Sequence, residues 1–235
     1  MKFGNCDNVS SLSQSGPKTL RTDITLVQQV RDSRKTLTLL KLFLLDNSSS
    51  MSAHWDNVLK LLEPMAYMVK CYDNHGIKLR FTCGGSCRKF KNTRPLMKEA
   101  RKYSPQTPIR DRQQLTDIRT SLGTELENYR ERLEKAARRR WNLARDVKKM
   151  VIYVFTDGCW QPSSNIKRHI KDLVATLDKY GKNSKQFGIQ FIQFGNDIPA
   201  RKLLEDYDGH PNLSRYGRLT FVTTVLMVFK EHCRY

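Results

Sequence analysis

From Thr36 onward the chain alternates short, dense apolar runs with longer stretches whose apolar residues recur every three or four positions. A short apolar run bounded by turn residues fits a strand covered on both faces, whereas recurrence at three and four fits a helix with one buried stripe. Alternating the two predicts βαβ units, and hence a doubly wound, Rossmann-like α/β fold with a mostly parallel central sheet flanked by helices. Strands are expected at residues 38–45, 77–82, 150–156, 187–194 and 219–222. Helices are expected at 55–71, 95–103, 118–148, 165–180, 199–207 and 224–232. In the first of them Trp55, Val58, Leu62, Met65 and Val69 mark the buried stripe, and Pro64 should kink or split it. Residues 88–115, basic and carrying Pro95, Pro105 and Pro108, otherwise read as a long irregular segment.

A sheet with helices on both faces suits one domain of this 235-residue length. Residues 1–35 are polar and Ser-rich and read as a partly flexible extension, leaving 36–235 as the domain. The first residues hold no apolar core segment of a secretory signal, and no apolar run is long enough for a membrane span. Six cysteines with no regular framework favour a reducing compartment, so the expected location is intracellular, in the cytoplasm or alternatively the nucleus.

The formal charge of +19 speaks to partners, not to fold. Nine Lys/Arg between Arg88 and Arg112 face only Glu99 and Asp111, and nine between Tyr129 and Lys149 face Glu131, Glu134 and Asp146. A solvated basic helix face is one reading. Contact with an acidic partner is the other, and nucleic acid, an anionic membrane surface or an acidic protein would all suit it; for nucleic acid, Arg138-Arg139-Arg140-Trp141, with an aromatic ring beside three cations, is the best candidate.

Three segments carry the oxygen chemistry. The run 38–45 leads straight into Asp46-Asn47-Ser48-Ser49-Ser50, which puts a carboxylate and two hydroxyls at alternate positions of a strand-end loop. Taken alone, this segment equally fits a helix cap. The run 150–156 ends in Thr156-Asp157-Gly158, and Thr116-Asp117-Ile118 opens the long helix. In open parallel sheets the carboxyl-end loops form the ligand crevice. Carboxylates and hydroxyls are hard donors, suited to Mg²⁺ or Ca²⁺ and not to zinc or copper.

Asp-x-Ser-x-Ser after an apolar strand, Thr-Asp-Ile heading a helix and Val-Phe-Thr-Asp-Gly after another strand resemble the metal-ion-dependent adhesion site of von Willebrand factor type A domains. The stretches Leu44–Met51 with Trp55-Asp56, and Phe187–Gly195, resemble the intracellular branch of that family common in fungi. The resemblance spans roughly residues 36–223. It implies a Mg²⁺ ion, or Mn²⁺ or Ca²⁺, held by the hydroxyls of Ser48, Ser50 and Thr116 and by Asp46 and Asp157, directly or through water. It also implies an open sixth position for the Asp or Glu of a protein partner. Gln114-Leu115 replaces the small pair that often precedes the family's Thr, which leaves Thr120 and Thr124 as alternatives to Thr116. Asp117 reads as a first-turn carboxylate favoured by the helix dipole.

Catalysis is not expected. An aspartyl-phosphate phosphatase needs a second Asp two residues after the first, where this chain has Ser48, and no nucleophile elbow, Walker loop or dinucleotide fingerprint is present. Cys83 and Cys87, with Cys71 and His75 nearby, are too loosely spaced to read as a zinc site.

Overall fold

The computed structural model describes residues 39–71, 75–84, 87–105, 116–138, 147–181 and 186–208. The N-terminal extension, the strand expected at 219–222 and the helix expected at 224–232 lie outside the described residues.

Five strands form one sheet: β1 (Leu39–Leu45), β2 (Ile77–Phe81), β3 (Arg88–Phe90), β4 (Lys149–Thr156) and β5 (Phe187–Gln193). Among the described residues the α-helices are α1 (Trp55–Cys71), α2 (Thr93–Lys102), α3 (Thr124–Arg138), α4 (Lys167–Lys179) and α5 (Ile198–Asp208). The strand order is β3-β2-β1-β4-β5. All pairings are parallel except that of β2 with β3. This is a Rossmann-like α/β arrangement, and the strand order reverses direction between β1 and β4.

Alternation along each strand sorts the core into two layers. Phe43 and Leu45 of β1 and Ile77, Leu79 and Phe81 of β2 pack under α1 and α2 with Val58, Leu62, Leu96 and Met97. Leu42 and Leu44 of β1, Ile152 and Val154 of β4 and Ile189 and Phe191 of β5 face α3, α4 and α5 with Leu126, Tyr129, Ile170 and Leu204. Because β1 contributes side chains to both layers and has strands on either side, its sequence is almost continuously apolar.

Three elements depart from the sequence reading. Helix α1 runs through Pro64 without splitting. Pro64 lies on the exposed side of the helix, where the ring meets no packed neighbour. The segment expected to be irregular holds β3, an antiparallel edge strand that was not anticipated, as well as α2. Three residues with the pattern exposed, exposed, half-buried carry too little periodicity to be read as a strand. The long helix expected at 118–148 instead opens with a widened π-type turn, Arg119–Gly123, which leads into α3; residues 139–146 lie outside the described residues, and residues 147 and 148 are non-helical.

Leu44 is fully buried at the centre of the sheet. Leu44→Ala is expected to lower unfolding free energy by about 2–5 kcal/mol, as large-to-small changes in packed cores do; urea denaturation followed by circular dichroism measures it.

Candidate metal centre

Strand register sets the site. Leu45 pairs with Phe81 on one side and with Phe155 on the other, so Asp46 emerges flanked by Thr82 and Thr156. The backbone continues the ladder one step further: Asp46 N donates to the Phe155 carbonyl (2.9 Å) and Thr82 N to the Leu45 carbonyl (3.0 Å). Three parallel strands thus end in one row, at the carboxyl edge beside the point where strand order reverses.

Asp46 is fully buried, and hydroxyl and amide donors surround its carboxylate. Its Oδ1 accepts from Ser48 N (3.2 Å), Thr82 Oγ1 (2.9 Å) and Thr116 Oγ1 (3.0 Å). Its Oδ2 accepts from Thr156 Oγ1 at 2.8 Å. Thr156 Oγ1 in turn accepts from Gly158 N (2.9 Å) and from Trp160 Nε1 (3.0 Å), so its own proton is directed to Asp46. Four segments of chain meet on one carboxylate.

Ser48 and Ser50 follow at alternate positions, their hydroxyls 3.0 Å apart. Ser50 lies in the first positions of a 3-10 turn, Ser49–His54, and its hydroxyl hydrogen-bonds the Asp157 carboxylate. Asn47 anchors this loop: its Nδ2 donates to the carbonyls of Cys83 (2.9 Å) and Tyr103 (3.2 Å), and its Oδ1 accepts from Cys83 N (2.8 Å). Those bonds tie the β1 loop to the end of β2 and to the residue after α2.

Asp157 begins the turn after β4, and its Oδ1 accepts from Cys159 N at 3.0 Å. Gly158 completes that turn at φ +82°, where a Cβ would stand 2.9 Å from the Cβ of Ala200. Only glycine meets both demands. Burial pushes the Asp157 carboxyl above its ordinary range; the Ser50 hydroxyl, the Cys159 amide and His54 act against the rise, and the charge of Asp46 reinforces it.

Thr116 takes its place without a glycine pair before it. Its carbonyl accepts from Gln161 N at 3.0 Å, and it bridges to Trp160, so the loop after β4 pins it. Thr120 and Thr124, the alternatives, are exposed and bond Asp117 and the Thr120 carbonyl. Asp117 accepts from Arg119 N (3.0 Å), Thr120 Oγ1 (2.9 Å) and Ser164 Oγ (2.8 Å) at the start of the π-type turn. Desolvation would raise its carboxyl, but those bonds and the Arg119 charge prevail and hold it below the ordinary range. It is a helix-start carboxylate and not part of the cluster.

The five residues named from the sequence thus form a connected set: Asp46 to Thr116 and to the Ser48 amide, Ser48 to Ser50, and Ser50 to Asp157. Sequence reading missed Thr82 and Thr156, the two hydroxyls that orient Asp46. Thr156 stood within Val-Phe-Thr-Asp-Gly, but only the register assigns either threonine to Asp46. All these donors are oxygens, and just two are carboxylates. That set fits a hard divalent cation keeping residual charge. Among the described residues no three His, Cys, Asp or Glu side chains group as a metal site. Of the basic tetrad Arg138 is exposed at the end of α3, while Arg139, Arg140 and Trp141 lie outside the described residues.

No protein-family model matches the chain, and no curated protein matches it. Among solved structures it is similar to proximal thread matrix protein 1 from the mussel byssus (crystal form 2), at 16% identity and a TM-score of 0.38, over 68% of this chain and 39% of that one. The chain thus spans about two fifths of that protein's length, and so loose a likeness carries no argument about this one.

A carboxyl whose folded pKa lies above its unfolded value contributes stability only while protonated and loses that contribution as pH rises through the folded value. At neutral pH the ionised Asp157 therefore weakens the metal-free fold. Without metal, Asp157→Asn is expected to raise Tm at neutral pH and to leave it unchanged at acid pH, where the native carboxyl is protonated; scanning calorimetry in the presence of a chelator reads it.

Proposed function

We propose that the chain is a von Willebrand factor A-type domain that holds one divalent cation and uses it to grip a protein partner. Ser48, Ser50 and Thr116 supply hydroxyl oxygens, and Asp46 and Asp157 supply carboxylates, directly or through water. Mg²⁺ is the ion the donor set suits, with Mn²⁺ and Ca²⁺ as alternatives. One observation supports the reading above the rest: hydroxyls and two carboxylates from three separate chain segments lie in one hydrogen-bonded set at the carboxyl edge of the sheet. Such crevices, where strand order reverses, are where open α/β sheets bind ligands.

The bound ion supplies residual positive charge at a fixed point. The buried Asp46 already shares its charge among four donors and the hydroxyls carry none, so the set would leave such an ion partly uncompensated. An Asp or Glu of a partner then completes the coordination. The function is contact and not catalysis, and it belongs inside the cell, in the cytoplasm or nucleus. No helix among the described residues is long and apolar enough to cross a membrane.

Asp46→Ala is a poor test, because it strands one amide and three hydroxyls in a buried setting at about 1–3 kcal/mol each. Ser50→Ala and Asp157→Asn touch the cluster more lightly. Isothermal titration with MgCl₂ is expected to show saturable binding to the native chain and at least a tenfold loss in each variant, with both still folded by circular dichroism. Unchanged Mg²⁺ affinity in both variants sinks the site, and a chain that binds no divalent cation at all sinks the function.

A further inference from the structure

A second feature of the fold lies away from the cluster and shares none of its residues. A groove of about 410 Å³ opens between the β2–β3 edge of the sheet and α3, lined among others by Lys78, Lys89, Asn128, Arg132 and Lys135. It sits on a sheet face that is apolar along the middle of the other strands: where β1, β4 and β5 offer Leu42, Leu44, Ile152, Val154 and Ile189 to the helices, β2 offers Lys78 and Arg80.

The charges in the groove do not cancel. Glu125, its most buried carboxylate, is held by Arg80 at 2.6 Å, and Glu131 pairs with Lys135 at 3.2 Å. Lys78, Lys89 and Arg132 have no carboxylate partner among the described residues. Arg132 is braced in place, its Nε donating to the Asn128 carbonyl (3.2 Å) and its guanidinium lying over the Tyr129 ring at 5.6 Å. More telling is the register of the edge: Lys78 stands directly opposite Lys89 across the antiparallel pair. Like charges facing each other across a ladder destabilise it. A fold that keeps such a pair at the mouth of a groove, with a third cation on the far wall, is arranged for an anion between them.

We propose that this groove binds the phosphate backbone of nucleic acid, independently of the metal cluster. Phosphate fits because each group carries charge and acceptor oxygens toward several donors, and the Arg132 fork suits it. A polyanion fits better than a small phosphate because the cations are spread over both walls of the groove, Lys78 and Lys89 on the strand side and Arg132 and Lys135 on α3. Among the described residues no aromatic side chain lines the groove, so it offers no platform for base stacking and recognition is of backbone, without sequence preference. None of the residues that line the groove belongs to the Arg138–Trp141 tetrad of the sequence reading.

Fluorescence anisotropy with labelled oligothymidylate and oligouridylate, at about 50 mM salt and then rising salt, tests it. The native chain is expected to bind both strands alike. Lys78→Gln with Lys89→Gln should weaken binding at least tenfold and lower the salt slope by roughly one to one and a half, about 0.7 for each phosphate no longer neutralised. The same double variant should melt no lower than the native chain, because it relieves the facing lysines. Lys171→Gln with Lys202→Gln, exposed residues of α4 and α5, removes equal charge and should leave binding within about twofold. Equal weakening in the two double variants would mean attraction to net charge only and overturns the groove. So does native-strength binding by the groove variant, or no binding by the native chain. Tighter binding of inorganic polyphosphate than of either oligonucleotide overturns the ligand class. Binding that vanishes with chelator or in Asp157→Asn moves the strand to the cluster and overturns the independence.

Discussion

One buried carboxylate organises the carboxyl end of this sheet. Asp46 has no exposed surface, yet four hydrogen bonds reach it from its own loop, from the ends of β2 and β4 and from the loop at Thr116. An ionised group removed from water is tolerated only when donors replace its hydration. Here the replacement comes from segments distant in sequence, so charge compensation and loop placement are the same event. If any of these segments moved away, the carboxylate would lose a donor it cannot replace with water. The cost of desolvating one charge thereby becomes the force that fixes the relative positions of β1, β2, β4 and Thr116.

The division of labour between the two aspartates follows from this. Asp46 is saturated by donors and acts as the keystone of the loops. Asp157 has fewer compensating bonds and its carboxyl is raised by burial, so it remains the electrostatically unsettled member. A bound cation would relieve that tension, and in the proposed reading affinity for the ion derives partly from it. Order without the ion and incomplete charge compensation coexist because they reside on different residues.

Much of the fold was legible in the sequence because its strands are short, apolar and separated by long amphipathic helices, so period and length agree. The strands β1, β2, β4 and β5 fall within a residue or two of where the pattern put them. What was hidden had no periodic signal. Strand β3 is three residues of Arg-Lys-Phe, recognisable only by its pairing with β2. The π-type turn before α3 is a hydrogen-bond shift that composition does not encode. The candidate site was legible as residue types, since Asp46, Ser48, Ser50, Thr116 and Asp157 all belong to motifs adjoining apolar or helical runs. Thr82 and Thr156 were not assigned there, because their roles arise from which residues stand abreast across three strands, a fact of register and not of any one segment. The lysines at 78 and 89 were invisible as a pair for the same reason.

The little edge strand also bears on solubility. A parallel sheet ending at β2 would expose a row of unpaired amides and carbonyls able to recruit the edge of another molecule. Strand β3 covers that row, and in doing so becomes the new edge, one of three residues with two exposed cations. It is too short and too strongly charged to template further strands, and two copies brought edge to edge would meet lysine against lysine. The same residues that make this margin attractive to a polyanion make it repellent to itself, so the molecule advertises the surface to one class of neighbour while withholding it from its own kind.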